Sequence, residues 1–164
     1  MAILLKQFKS KFFELIPLIL LLIISLSGNS VINFSFFSIN INFILIYFFV
    51  LTHPKALGYG FIFLAGIITD VVFGLPLGIN ALTLLVIASV AAYIRVVTVR
   101  ISLFVGWVSF IPALLIANFV NFFSLYFSNY TIDYLHLFSN SIFTFIFYPL
   151  LGMFFMVLSS LMKQ

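Results

Sequence analysis

The chain of 164 residues is 65% hydrophobic and only 6% charged, where a soluble domain carries roughly 25% charged residues. Its 24 Phe residues and its excess of Leu and Ile outrun the interior that a chain of this length can build, which excludes a soluble fold and makes lipid part of the solvent. The seven basic residues behind the net charge of +4 are dispersed, so no basic stripe tracks a nucleic-acid backbone, and the lack of Cys excludes disulfides, thiolate metal sites and cysteine nucleophiles.

A helix needs about 20 apolar residues to cross the hydrocarbon core. Runs free of Asp, Glu, Lys, Arg and His cover 15–52, 56–69, 71–94, 101–132 and 137–162. The first is long enough for two spans and breaks at Ser27, Gly28, Asn29 and Ser30, a cluster of turn formers. In chain order this predicts spans at 12–27, 34–51, 56–73, 77–94, 101–127 and 137–161. Span 2 is the most interrupted, by Asn33, Ser35, Asn40 and Asn42. No repeat or linker divides the chain, so 1–164 is expected to be one domain: an all-α integral membrane protein, a compact bundle of six transmembrane helices.

The basic residues test that count. With the N-terminus inside, Lys6, Lys9 and Lys11 precede span 1, Lys55 joins spans 2 and 3, Arg95 and Arg100 join spans 4 and 5, and Lys163 follows span 6, all on the cytoplasmic side. Removing span 2 strands Lys55, both Arg residues and Lys163 outside. Tyr59 and Tyr93 then lie near the inner boundary, and Tyr126, Tyr130 and Tyr134 near the outer one, as amphipathic rings prefer. A Lys-rich start followed by an apolar stretch and Ser-Leu-Ser-Gly also fits a cleavable signal peptide, but the later segments supply their own topogenic charge.

Asp70 is the most informative residue, because a carboxylate inside a span costs about 2.5–3.5 kcal/mol on insertion scales. At about 1.5 Å per residue it lies roughly 21 Å from the inner end of span 3, and Asn118 and Asn121 reach a comparable depth in span 5. Asn80 opens span 4 from the same side. The expectation is a polar cluster of Asp70, Asn80, Asn118 and Asn121, the last two sharing a helix face. Two readings stay open: a ligand, proton or partner site, or a carboxylate hydrogen-bonded by amides that holds spans 3, 4 and 5 together.

Around Asp70, Gly66 permits close helix approach, while Gly74, Pro76 and Gly78 break the helix into a tight hairpin. His53 and His136 fall on opposite sides of the membrane, so they cannot share a metal. No nucleophile elbow, paired carboxylates or cofactor motif accompanies them, so the expectation is a non-enzymatic protein without cofactors. Glu14 is expected to pair with Lys11 at the membrane surface, and Pro17, Pro112 and Pro149 to kink their helices.

Six short-looped spans with Gly66-x-x-x-Asp70-x-x-x-Gly74-x-Pro76-x-Gly78 between the third and fourth resemble the rod shape-determining MreD family. The similarity extends to His53-Pro54-Lys55 before span 3 and to the basic loop at 95–100, and it covers essentially the whole chain. It implies a bundle like the substrate-binding subunits of energy-coupling-factor vitamin transporters. It also implies a place in the bacterial inner membrane, with both termini cytoplasmic, in the complex that guides lateral peptidoglycan synthesis. The partners implied are an MreC-like single-span protein and, less directly, MreB, RodA and a class B transpeptidase. Gly66, Asp70, Gly74, Pro76 and Gly78 would then carry structural weight. The competing class is a transporter subunit whose outer pocket, lined by Asp70, Asn118 and Asn121, binds a small molecule.

Overall fold

The computed structural model describes residues 15–27, 39–54, 56–130 and 134–162. Among them the chain is all-α: α1 (Ile16–Ser27), α2 (Ile41–Thr52), α3 (Tyr59–Phe73), α4 (Ile79–Val97), α5 (Leu103–Phe127) and α6 (Tyr134–Met162). Three stretches are long and apolar enough to cross a membrane: Ile79–Val97, Leu103–Phe127 and Leu137–Ser160. The other helices are shorter, with 12, 12 and 15 residues. Several sequence expectations lie outside the described residues: the turn at Gly28, Asn29 and Ser30, the first part of span 2, the Glu14–Lys11 pair, and Lys6, Lys9, Lys55 and Lys163.

α2 is the axis of the bundle, packing on α1, α4, α5 and α6. Residues 42–51 are all buried, as a helix apolar on every side must be when neighbours surround it. The span that the sequence marks as most interrupted is therefore the best enclosed. Its Tyr47 meets Phe110 of α5 at a ring-centroid distance of 4.8 Å and Tyr148 of α6 at 5.9 Å, and its hydroxyl lies 2.9 Å from Ser109 Oγ. Gly106 makes room for this cluster, since a Cβ there would stand 3.0 Å from Tyr148 Oη. The outer faces of α5 and α6 are apolar and open, with Phe104, Leu115, Phe138 and Phe154 all exposed. So large an apolar surface is compatible with a membrane protein and not with a free one in water.

The prolines divide by position. Pro17 sits in the first turn of α1, where its missing N–H has no helical partner to lose, so it starts the helix and does not kink it as expected. Pro112 and Pro149 lie inside α5 and α6. Pro149 cannot donate to the carbonyl four residues before it, Phe145. Trp107 of α5 takes that donor's place: its indole Nε1 donates to the Phe145 oxygen at 3.0 Å, and its ring stacks on the Phe145 ring at 5.2 Å. A gap in one helix thus becomes a bond between two.

This substitution of donors is testable by thermal unfolding in detergent. Trp107→Phe keeps an aromatic ring but leaves the Phe145 carbonyl without its donor, and should cost about 1–2 kcal/mol. In a Pro149→Ala background, where the backbone N–H restored at position 149 can bond the carbonyl again, the same change should cost clearly less. Equal costs in the two backgrounds would refute the pairing.

Candidate functional site

The joint between α3 and α4 is built from five residues of connection, 74–78. Gly74 takes the left-handed conformation, φ 62° and ψ 29°, and ends α3. Its N–H donates to the Val71 carbonyl at 3.2 Å, and Leu75 N–H reaches the Asp70 carbonyl at 2.9 Å, the two bonds of a Schellman cap. Pro76 lacks an N–H and holds the chain out of helix until Gly78, whose φ of 104° suits only glycine, opens α4.

A helix start leaves four N–H groups unpaired, and the capping residue usually offers a side-chain oxygen to one of them. Gly78 has no side chain to offer. Asp70 supplies the oxygen from the neighbouring helix: Oδ2 accepts from Gly78 N–H at 2.7 Å, and Oδ1 accepts from Asn80 N–H at 2.8 Å and from Asn80 Nδ2 at 2.9 Å. The carboxylate is fully buried, with both oxygens engaged. A negative group at a helix N-terminus also complements the helix dipole.

Gly66 makes this reach possible. It lies one turn before Asp70 on the same face, where a Cβ would stand 2.2 Å from Ala81 Cα and 2.5 Å from Ala81 N. Only a hydrogen at position 66 lets the two backbones close to that distance. Gly66, Asp70, Gly74, Pro76, Gly78 and Asn80 are thus parts of one joint.

Among the described residues no hydrogen bond joins Asn118 or Asn121 to Asp70, whose side chain bonds Gly78 and Asn80. Asn118 and Asn121 face Asn80 across a cavity of about 180 Å³, many times the ~10–15 Å³ that one water needs. The expected four-residue cluster therefore divides: Asp70 is consumed by the joint, and Asn80 belongs to both joint and cavity. Asn40, Asn42 and Asn140 add to the polar part of the lining, together with Thr69, Ser141 and Thr144. Thr144 ties the rim, accepting from Asn40 N–H at 2.9 Å while its hydroxyl donates to the Asn140 carbonyl at 2.6 Å. Asn118 Nδ2 donates to the Leu114 carbonyl of its own helix at 2.7 Å. Asn42 is buried; its Nδ2 lies 3.4 Å from Ser25 Oγ, and its Oδ1 has no hydrogen-bond partner among the described residues.

Among the described residues the lining sets nine amide- or hydroxyl-bearing side chains among eight apolar ones, Ile24, Phe43 and Leu84 included, and holds no ionisable side chain. Such a surface recognises uncharged groups by hydrogen bonding. Sequence reasoning missed Asn40, Asn42 and Asn140. The available signal was depth: each stands near the start of a helix that enters from the end where Asn80 begins α4. His53 and His136 stand at opposite ends of the bundle, the first at the end of α2 and the second at the start of α6.

No protein family, curated protein or solved structure matches this chain.

The joint predicts a graded series in detergent unfolding. Asp70→Asn replaces one acceptor oxygen by a donor facing buried N–H groups, and should cost about 1–3 kcal/mol. Gly66→Ala forces α3 and α4 apart and should cost about 1–3 kcal/mol. Gly78→Ala, with its left-handed backbone, should cost about 1–2 kcal/mol. Wild-type stability in Asp70→Asn would show that the three hydrogen bonds are dispensable.

Proposed function

We propose that this protein is a non-enzymatic membrane component of the bacterial elongation complex, similar to MreD, which scaffolds or regulates lateral peptidoglycan synthesis and so helps maintain rod shape. One observation supports the reading: each of the five named positions of the Gly66-to-Gly78 motif has a distinct mechanical part in the α3–α4 joint. Gly66 supplies contact, Asp70 supplies acceptors, Gly74 stops one helix, Pro76 spaces the connection and Gly78 starts the next. A carboxylate held by three donors is a fastening, and a fastened corner suits a protein that positions others.

On this reading six helices span the inner membrane with both ends in the cytoplasm, because that arrangement alone keeps all seven basic residues inside. An MreC-like single-span protein docks on the bundle and links it to MreB, RodA and a class B transpeptidase. The asparagine cavity favours a second reading, a small-molecule-binding subunit of a transporter.

The test is affinity purification of the tagged protein from its native membranes in mild detergent, with mass spectrometry of what stays bound. An MreC-like protein with cell-wall synthases is the expected result. An ATPase pair or a soluble metabolite without cell-wall proteins would overturn it in favour of transport.

A further inference from the structure

The asparagine cavity is not closed on all sides by polar groups. Leu114, Asn118, Leu137 and Ser141 line it and also line a second hollow, of about 500 Å³, between α5 and α6. The rest of that hollow is apolar, with Ile111, Leu115, Phe122, Phe138, Ile142 and Phe145. Leu115 is 66% exposed and Phe138 67%, on two helices of membrane-crossing length and composition, so the groove opens sideways towards hydrocarbon. Asn118 and Ser141 stand where the apolar groove meets the polar cavity.

Two observations constrain the occupant. The lining of both hollows carries no charged side chain among the described residues, so a phosphate or ammonium group would lose its hydration there without gaining a counter-charge. Nine of the cavity's described lining residues carry an amide or a hydroxyl, the kind of surface that orients a bound molecule by hydrogen bonds. Water could meet those groups, but water does not account for a cavity that continues into an oily groove. An amphiphile fits both parts.

We propose that the cavity and the α5–α6 groove together bind a membrane lipid with an uncharged headgroup of hydroxyls or amides. The headgroup lies among Asn80, Asn118 and Asn121, and an acyl chain leaves between Asn118 and Ser141 to lie against Leu115 and Phe138. The inference rests on the membrane setting of α5 and α6 and not on the elongation-complex reading, so either can fail alone.

The experiment places the full chain in phosphatidylcholine nanodiscs with a monoglucosyl diacylglycerol carrying a diazirine in mid-chain, and maps adducts by mass spectrometry after photolysis. Adducts should concentrate on residues 111–122 and 137–145, relative to exposed apolar positions elsewhere such as Leu82 and Val96. Unlabelled monoglucosyl diacylglycerol should compete, whereas phosphatidylglycerol and methyl glucoside should not. Leu115→Trp, which fills the groove from an exposed position, should lower labelling about tenfold. Asn118→Leu should weaken competition about fivefold to tenfold, the loss expected for one or two hydrogen bonds to a neutral group. Labelling spread evenly over lipid-facing positions, or unchanged by Leu115→Trp, would overturn the proposal and leave the groove to a partner's helix. Equal competition by phosphatidylglycerol would overturn its headgroup selectivity, and competition by methyl glucoside alone would assign the cavity to a soluble ligand.

Discussion

Three N–H groups at the start of α4 converge on the Asp70 carboxylate, and the geometry of this end of the bundle follows from that meeting. The bonds need the two helix backbones in contact, which needs Gly66 against Ala81. They also need α3 to stop and α4 to start within five residues, which needs the left-handed turns at Gly74 and Gly78. A charged residue that would be expensive in hydrocarbon is thereby hidden from it and given a full set of partners. The joint also sets where Asn80 points, since its side-chain amide is held by the same oxygen that receives its backbone N–H.

That placement connects the fastening to the cavity. Asn80 is fixed on one wall by Asp70, while Asn118 and Asn121 share the face of α5 that forms the opposite side. The α2 and α6 starts close the ring through the Asn40–Thr144–Asn140 contacts. Farther along, the rings of Tyr47, Phe110 and Tyr148 pack α2 against α5 and α6. One end of the molecule is therefore a dense aromatic core and the other a hydrogen-bonding chamber. A rigid core beside a chamber is compatible with a scaffold and with a binding protein alike, which is why partner capture separates the two readings and unfolding measurements do not.

Much of the joint was legible from residue types. Gly66, Asp70, Gly74, Pro76 and Gly78 stand at spacings that place a small residue and an acid on one helix face, followed by stop and start signals, and hydrogen-bonding geometry follows from those with little freedom. The two readings left open for Asp70 could not be separated that way, because two of its three donors are backbone N–H groups, which every residue has. Asn118 and Asn121 share a cavity with Asn80, one expected neighbour, but not with Asp70, the other, since depth along a helix does not give the direction across the bundle. Asn40, Asn42 and Asn140 were passed over because an isolated amide looks like an interruption until its neighbours are known. Trp107 and the Phe145 carbonyl belong to the same class: Pro149 announces a missing donor, but not who replaces it.

Composition and charge-free runs by themselves determined that the chain is helical and apolar, roughly where α3 to α6 begin and end, and which segment would turn sharply. Those properties depend on local backbone preferences and on the total apolar surface, both of which are sums over residues. Only the tertiary structure decided that Asp70 is spent on capping α4, that six asparagines from four helices and the α2 entry share one chamber, and that the chamber opens into an oily groove between α5 and α6. Those depend on the rotation of each helix about its own axis, which is set by packing against neighbours distant in the chain.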